Sequence, residues 1–571
     1  MESTSTKVVK ASESGFHSYD PGELKAFIEF INDSLKNDTD VKKYLPFQNE
    51  MDLTSASKNG IMLCKLINAV APETIDERTI NKQEPLNIYK MDENLKLAIN
   101  AAASIGCRIV NISPSSIRDG QLHLIMGMIW QIMRIYLLER INIKSNPGII
   151  LLAEEGETTK DIMQLSGEKI LVRWLRYELV QAGQEPKVKE INSELKDLVV
   201  FSHVMSQLDK EFDKTVIEEG SVEKRAKALI ESSKKLKVKS FITEEALMEG
   251  NPKIYLMFTS LLFNSKNDLE LSEDKKVEVQ KSTLSEEVVT TGTKEERTFQ
   301  LWVNSLGLEG IYINNFYSDL KDGLVILRLM NYVWPGSVVE GKYEKKPGNN
   351  TYKQIANCNY AINVGSTVKI KTGGLTGKGL AESNPTQVLG LLWQIMRANY
   401  LQIIEGATEE DLISWGNAIA DYKPPIKNFK DPGFKSSKFL LSLMSKLDPG
   451  IVDWDFVSAG EKDEEIELNA KYCINIARKL GAKIFITWED IKNVNSKMLT
   501  VFLAAIKNLF NERHKSIQPA SKKAKEEKAA PKVEESEQPK TEEAQGGDTK
   551  PEDPTKAEEK VEEENQDEKK E

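Results

Sequence analysis

Apolar residues along this chain recur at helical spacing within windows of roughly 12 to 18 residues, and long β-branched alternation is missing. The pattern predicts an all-α fold. Four stretches open in the same way, with a capping residue followed by one apolar stripe. Asp20 and Pro21 precede Leu24, Phe27, Ile28, Ile31 and Leu35, and Ser166 precedes Leu171, Trp174, Leu175 and Leu179, with Gly183 as a stop. Thr293 and Glu296 form a capping box before Phe299, Trp302, Val303 and Leu306, and Thr408 with its acidic followers precedes Leu412, Trp415 and Ile419.

Two more apolar stretches, 122–138 and 388–404, are at the short limit of a membrane span, and each places Gln and Arg near its centre. They read as protein-buried helices, so no membrane span is expected. Both contain WQIMR, at Trp130–Arg134 and Trp393–Arg397, offset by 263 residues. The same offset relates Gly60 to Gly323, Asn68 to Asn331, Asn94 to Asn357 and Ala98-Ile99-Asn100 to Ala361-Ile362-Asn363. A register held over so long a stretch is a domain-sized repeat. A second pair lies between, where Trp174 matches Trp415, Leu208-Asp209 matches Leu447-Asp448 and Phe241-Ile242-Thr243 matches Phe485-Ile486-Thr487. The order is A, B, A′, B′, two tandem pairs. The boundaries are A at 20–142, B at 164–266, a linker at 267–292, A′ at 293–404 and B′ at 407–513. Residues 1–19 and 515–571 are expected to be disordered. The latter contain no Leu, Phe, Trp, Tyr or Met and cannot offset their ordering entropy by burial.

Charge narrows the partners. Of the net −11 over 571 residues, the tail contributes −6, from 12 Lys against 18 Asp or Glu. The nearly neutral body lacks the field that nucleic-acid binding needs. Cys64, Cys107, Cys358 and Cys473 lie far apart without a C-x-x-C pair, and the first residues show no signal or transit pattern, so a cytoplasmic protein is expected.

Reaction chemistry finds little support. The four histidines, His17, His123, His203 and His514, have no metal-ligand spacing, and no G-x-S-x-G elbow occurs. The sequence GGLTGKG at 373–379 approaches a phosphate loop, but three residues rather than four separate Gly373 from Gly377, and Gly379 stands where Ser or Thr should hold magnesium. It reads as a flexible connector. No stretch fits the EF-hand pattern. Neither metal nor other cofactor is expected. Lys58-Asn59-Gly60 and Lys321-Asp322-Gly323 read as helix caps with a glycine for tight entry. The WQIMR helices read as core helices, part of whose face could remain as an apolar strip for a partner, registered by Gln131 and Arg134.

The stretches DGLVILRLMN, NGIMLCKLINAVAPETIDERTINK and LIMGMIWQIMRIYLLERI, within four such units in two pairs, resemble the calponin-homology domains of the fimbrin or plastin family from about residue 20 to residue 513. The resemblance implies four calponin-homology domains and two actin-binding domains on one chain. It further implies a non-enzymatic crosslinker that bundles filamentous actin in the actin cytoskeleton and acts as a monomer. By position, the family's contact surfaces fall on 21–36 and 294–306, on 121–138 and 386–402, and on 167–181 and 409–420. Gln131, Arg134, Lys169, Arg173 and Arg176 are the candidates in the first pair, and Lys294, Arg297, Gln394 and Arg397 in the second. For each the alternative is a solvated basic face or an interdomain salt bridge. The family commonly begins with a calcium-binding headpiece that these residues do not show, so crosslinking independent of calcium is expected. The rival functions are a side-binding stabiliser with one weak head and, more remotely, a nucleotide-binding enzyme using 373–379.

Overall fold

The computed structural model describes all residues except 1–6, 12–14, 164, 219, 240, 291–293, 314, 404–405 and 527–571. Each unit is built on four principal helices, here called opening, second, third and closing. They are Pro21–Leu35, Ile61–Val70, Ile88–Ser104 and Leu122–Leu138 in A, and Gly167–Gln181, Val199–Leu208, Val222–Lys235 and Pro252–Ser265 in B. In A′ they are Lys294–Ser305, Leu324–Val333, Thr351–Thr367 and Pro385–Ile403. In B′ they are Glu409–Ile419, Lys438–Leu447, Asp463–Leu480 and Ser496–Glu526. Three of the four expected caps form: Asp20 accepts from the amides of Gly22 and Glu23, Ser166 from Lys169, and Thr408 makes a reciprocal box with Asp411, while Thr293 of the fourth lies outside the described residues.

The pairing is physical. One continuous apolar core runs through A and B, and a second through A′ and B′. Phe27 stacks on Trp130 within A, while Phe30 meets Phe241 of B edge to face at 5.9 Å. At the same seam Glu249 of B lies against Asp20 of A with no donor for its inner oxygen. Burial and then the Asp20 carboxylate push Glu249 up to about 7, from 4.5. Between those values the folded carboxyl keeps a proton that the unfolded chain has lost, so stability falls as pH rises through the window. Glu249→Gln is expected to flatten that dependence and to raise the thermal midpoint at pH about 8 relative to the parent. Unfolding followed across pH checks it.

Two devices recur in the units and explain the repeated residues. In the first, an asparagine of the opening helix clamps both backbone groups of one loop residue. Asn32 holds Phe47, Asn304 holds Ile313 and Asn417 holds Ile426, at 2.7–3.0 Å. In B, Arg176 takes that place and donates to the Val188 carbonyl at 2.5 Å. In the second, a buried asparagine of the third helix ties the entrance of the second helix to a following loop. Asn94 donates to the carbonyls of Asn59 and Asn81 and accepts from the Asn81 amide. Asn357 does the same with Asp322 and Glu344, and Asn469 with Ser436 and Ser458. In B, Arg225 substitutes, donating to the carbonyls of Asp197 and Ile217. The residue at the helix entrance is left-handed in all four: Gly60, Leu198, Gly323 and Ser437. A Cβ on Gly60 would lie 2.8 Å from the Asn94 Cβ and 2.9 Å from its backbone carbon. The two residues singled out by the repeat are therefore in contact.

Three expectations change. Of residues 1–19, expected to be disordered, Lys7–Ala11 and Gly15–Tyr19 form an antiparallel strand pair, while 1–6 and 12–14 lie outside the described residues. Val8, Val9, Phe16 and Tyr19 supply strand propensity, and buried Tyr19 bonds Glu50 to anchor the second strand's end. The linker at 267–292 contains a helix, Glu273–Thr290, which packs on segments 147–152 and 159–163 between A and B. Gly148 permits this, because a Cβ there would meet the Leu269 carbonyl oxygen at 2.0 Å. The closing helix of B′ continues to Glu526, where Lys, Ala and Glu are good helix formers. The rest of the expected tail lies outside the described residues. The all-α class holds for the four repeats.

Candidate functional site

The WQIMR motifs sit where the closing helix of a leading unit meets the following unit, and each polar residue is engaged, the glutamines within the leading unit and the arginines across the seam. Gln131 Oε1 accepts from the Arg108 amide at 3.3 Å, and Gln394 brackets Lys371, accepting from its amide at 2.8 Å and donating to its carbonyl at 2.9 Å. Arg134 Nε donates to Glu168 at 2.8 Å, and Arg397 Nε to Glu409 at 3.2 Å, each carboxylate opening the next unit. Lys253 lies over the Trp130 ring at 5.8 Å and pairs with Glu23, while Lys497 lies over Trp393 at 5.7 Å and pairs with Glu295. Every member of the first set has its repeat partner in the second. The two seams are one interlock built twice.

Burial works against the Arg134 charge, but Glu168 outweighs it, and the guanidinium is held above its usual value. The guanidinium also lies over the Tyr312 ring of A′ at 5.4 Å, so Arg134 joins three units. Among the described residues Arg397 has no such third contact, and it is about 40% exposed, against 20% for Arg134. Between Leu122 and Leu138 no residue is fully exposed. B reaches this helix at Trp130 and Leu138 and A′ reaches it at Arg134, while a Cβ on Gly127 would meet nothing within 4 Å.

The remaining candidates separate by exposure. Arg173 makes a two-point contact with Glu157, at 2.5 and 2.8 Å, which raises its affinity for the proton. Arg176 is the loop clamp of B. Lys169 and Arg297 are exposed on opening helices, and Lys294 begins its helix with a side chain outside the described residues. Lys169, Arg173 and Arg176 share the wall of a groove of about 660 Å³ with Trp130, Lys189 and Lys253. Sequence reasoning missed Glu168, Glu409, Lys253 and Lys497. Applying the B-to-B′ offsets of 241 and 244 to charged positions as well as to aromatic ones would have found them.

A different surface joins the pairs. The third helix of A packs along the third helix of B′, and charged groups are buried between them. Lys479 Nζ lies 3.3 Å from Glu93 and 3.0 Å from Asn81 Oδ1. Arg478 donates to the Thr74 carbonyl at 3.1 Å, and its own carbonyl accepts from Asn100 at 2.9 Å. Burial pulls its guanidinium down to about 10. At the edge Arg78 grips the carbonyls of Phe456 and Leu468.

Among the described residues no cluster of His, Cys, Asp or Glu could hold a metal ion. The four thiols are buried, and burial pushes Cys64, Cys107 and Cys358 up to about 12. The 373–379 stretch is no flexible connector: Thr376 caps a short helix, Gly377–Ala381. Gly377 and Gly379 lie so close to Asn359 and Gln387 that a Cβ at either would come within 2.3–2.4 Å of a side-chain oxygen. No described helix is long and apolar enough to cross a membrane.

Repeated helical modules, locked in pairs with their polar groups spent on the locks, define a multivalent binding scaffold. The Calponin homology (CH) domain family matches residues 22–137, 165–268, 293–400 and 406–512. Fimbrin-4 of Arabidopsis thaliana is 35% identical over 515 residues, 88% of this chain and 78% of that protein. Plastin-3 of Rattus norvegicus is 36% identical over 520 residues, 86% and 80% of the two chains. The crystal structure of the actin-crosslinking core of Schizosaccharomyces pombe fimbrin superposes with a TM-score of 0.73 at 31% identity, covering 86% of this chain and 99% of that one. The chain belongs to the fimbrin and plastin family of calponin-homology proteins.

Proposed function

We infer that the protein crosslinks actin filaments into bundles, each tandem pair gripping one filament, in the cytoplasmic actin cytoskeleton and as a monomer. One observation carries the reading: the two pairs have separate cores and duplicate the same interlock, so one chain presents two grips of common design. Binding by one pair holds the other near a neighbouring filament at an effective concentration of about mM, which multiplies avidity by roughly 10² to 10⁴. No reaction is needed. Lys169 and Arg297 are proposed as filament contacts because their side chains are free to reach out. Arg134, Arg397, Arg173 and Arg176 act first in holding each pair in shape.

Severing the linker would be a poor test, since A and B′ hold the pairs together without it. Residues 1–290 and 291–571 expressed separately are each expected to pellet with filaments at high speed and to leave them in the low-speed supernatant. The full chain is expected to bring bundles down at low speed, equally with calcium or with a chelator. Low-speed pelleting by either half, or none by the full chain, defeats the reading. The second result would favour a side-binding stabiliser.

A further inference from the structure

Between the opening and second helices of B′, residues 421–438 carry Lys423, Lys427, Lys430, Lys435 and Lys438 against Asp421 and Asp431, a net charge of +3. The loop is rigidly held. Asn417 clamps Ile426, Ser442 accepts from the Asp421 amide at 2.8 Å, and Tyr422 donates to the Gly433 carbonyl at 3.3 Å. Asp431 is turned inward, accepting from the amides of Lys427 and Gly433 at 2.9 and 2.8 Å. Ile426, Phe429 and Phe434 are buried beneath, the two rings stacked at 5.9 Å. Lys423, Lys427, Lys430 and Lys435 are all exposed, and none of them makes an ion pair among the described residues. Exposed Pro424 and Pro425 stiffen the tip between the first two.

The fold does not need these lysines. The matching loop of B, residues 183–199, is built on the same clamp position yet carries three Lys against four acidic residues, and its Lys187 is paired with Glu185. A partner gripped by both pairs alike gives no reason for charging one loop only. The loop's charges are compact ammonium groups and not planar forks, and of its two carboxylates Asp431 is turned inward while Asp421 lies toward Lys446 of the second helix, at 3.8 Å. Four exposed ammonium groups on one rigid loop fit a flat, densely anionic surface with mobile phosphates.

We propose that the 421–438 loop of B′ docks the protein on an anionic lipid bilayer. Bundles held by the two grips would then be tethered along a membrane face.

The test uses the full chain and sedimentation with vesicles. The protein is expected to pellet with phosphatidylcholine vesicles containing about a third phosphatidylserine, to stay soluble with phosphatidylcholine alone, and to be released by salt. Changing Lys423, Lys427, Lys430 and Lys435 together to Gln is expected to weaken vesicle binding on the order of a hundredfold. The corresponding four-Arg variant is expected to retain it, with filament bundling and the unfolding curve unchanged in both. Absence of binding to the anionic vesicles, or equal binding by the four-Gln variant, overturns the proposal. Loss of filament binding by that variant would assign the lysines to the filament and overturn it as well.

Discussion

Lys479→Met is expected to cost about 3–5 kcal/mol of the contact between the two pairs, the usual penalty for removing one member of a buried ion pair. The Lys479 side chain is 6% exposed and that of Glu93 15%. Burial works against the Lys479 charge and leaves its affinity for the proton below the ordinary lysine value, despite the nearby carboxylate. The pair is therefore costly to bury, and its loss is costly because Glu93 would lose its buried cation and keep only the more exposed Lys90. Lys90 stands 3.2 Å from Glu93 and offers partial compensation from the same helix. The double variant Lys479→Met/Glu93→Leu is expected to recover most of the loss, since apolar replacement of a whole buried pair is often neutral or better. Small-angle scattering and thermal unfolding check both variants. The single variant should expand and lose its late-melting contact, and the double variant should not. An unchanged radius of gyration and midpoint in Lys479→Met would show that neighbouring contacts, such as that of Arg478 with Thr74, carry the interface alone.

The parts of the structure legible in the sequence were those that repeat. Gly60 and Asn94 share an offset with Gly323 and Asn357 because each couple is one contact, a left-handed turn pressed against the asparagine that ties it down. The opening helices were legible through their caps and stripes, which are local. Arg134 and Arg397 were found as positions, but a solvent-facing arginine and an interlocked one look alike until the partner is known. The asparagine clamp of B was hidden because Arg176 and Arg225 replace asparagines, reaching the same carbonyls with longer side chains. The contact between A and B′ was invisible for a further reason. Asn100, Glu93 and Lys479 are polar residues on helices whose apolar faces are already satisfied by their own units, so nothing in the periodicity of either helix announces a second burial. The linker helix was missed because a run of Lys, Glu and Val without an apolar stripe reads as solvated chain, while its docking depends on Gly148, more than a hundred residues away.

Asn94→Ala is expected to destabilise the first pair by about 3 kcal/mol or more. Asn94 is fully buried, and its amide serves three backbone groups at once, the carbonyls of Asn59 and Asn81 and the Asn81 N–H, at 2.9–3.0 Å. Alanine would strand all three, and each buried polar group left without a partner costs about 1–3 kcal/mol. No side-chain rearrangement can replace them, because the space beside Asn94 is filled by the Gly60 turn, at a distance that leaves no room for a Cβ. Asn94→Asp would keep the acceptor and lose both donors, so it should be nearly as damaging. Asn357→Ala is expected to act equally on the second pair, whose asparagine makes the same three bonds. Arg225→Ala in B should cost less, since the guanidinium bonds only two carbonyls, at 3.1 Å and partly in reach of water. Urea unfolding of the full chain checks the series: Asn94→Ala should lower the transition of the first pair and Asn357→Ala that of the second, each with its denaturant slope unchanged. A fall of less than about 1 kcal/mol for Asn94→Ala would mean that water reaches the stranded groups, and that the repeated asparagine is a feature of register and not of stability.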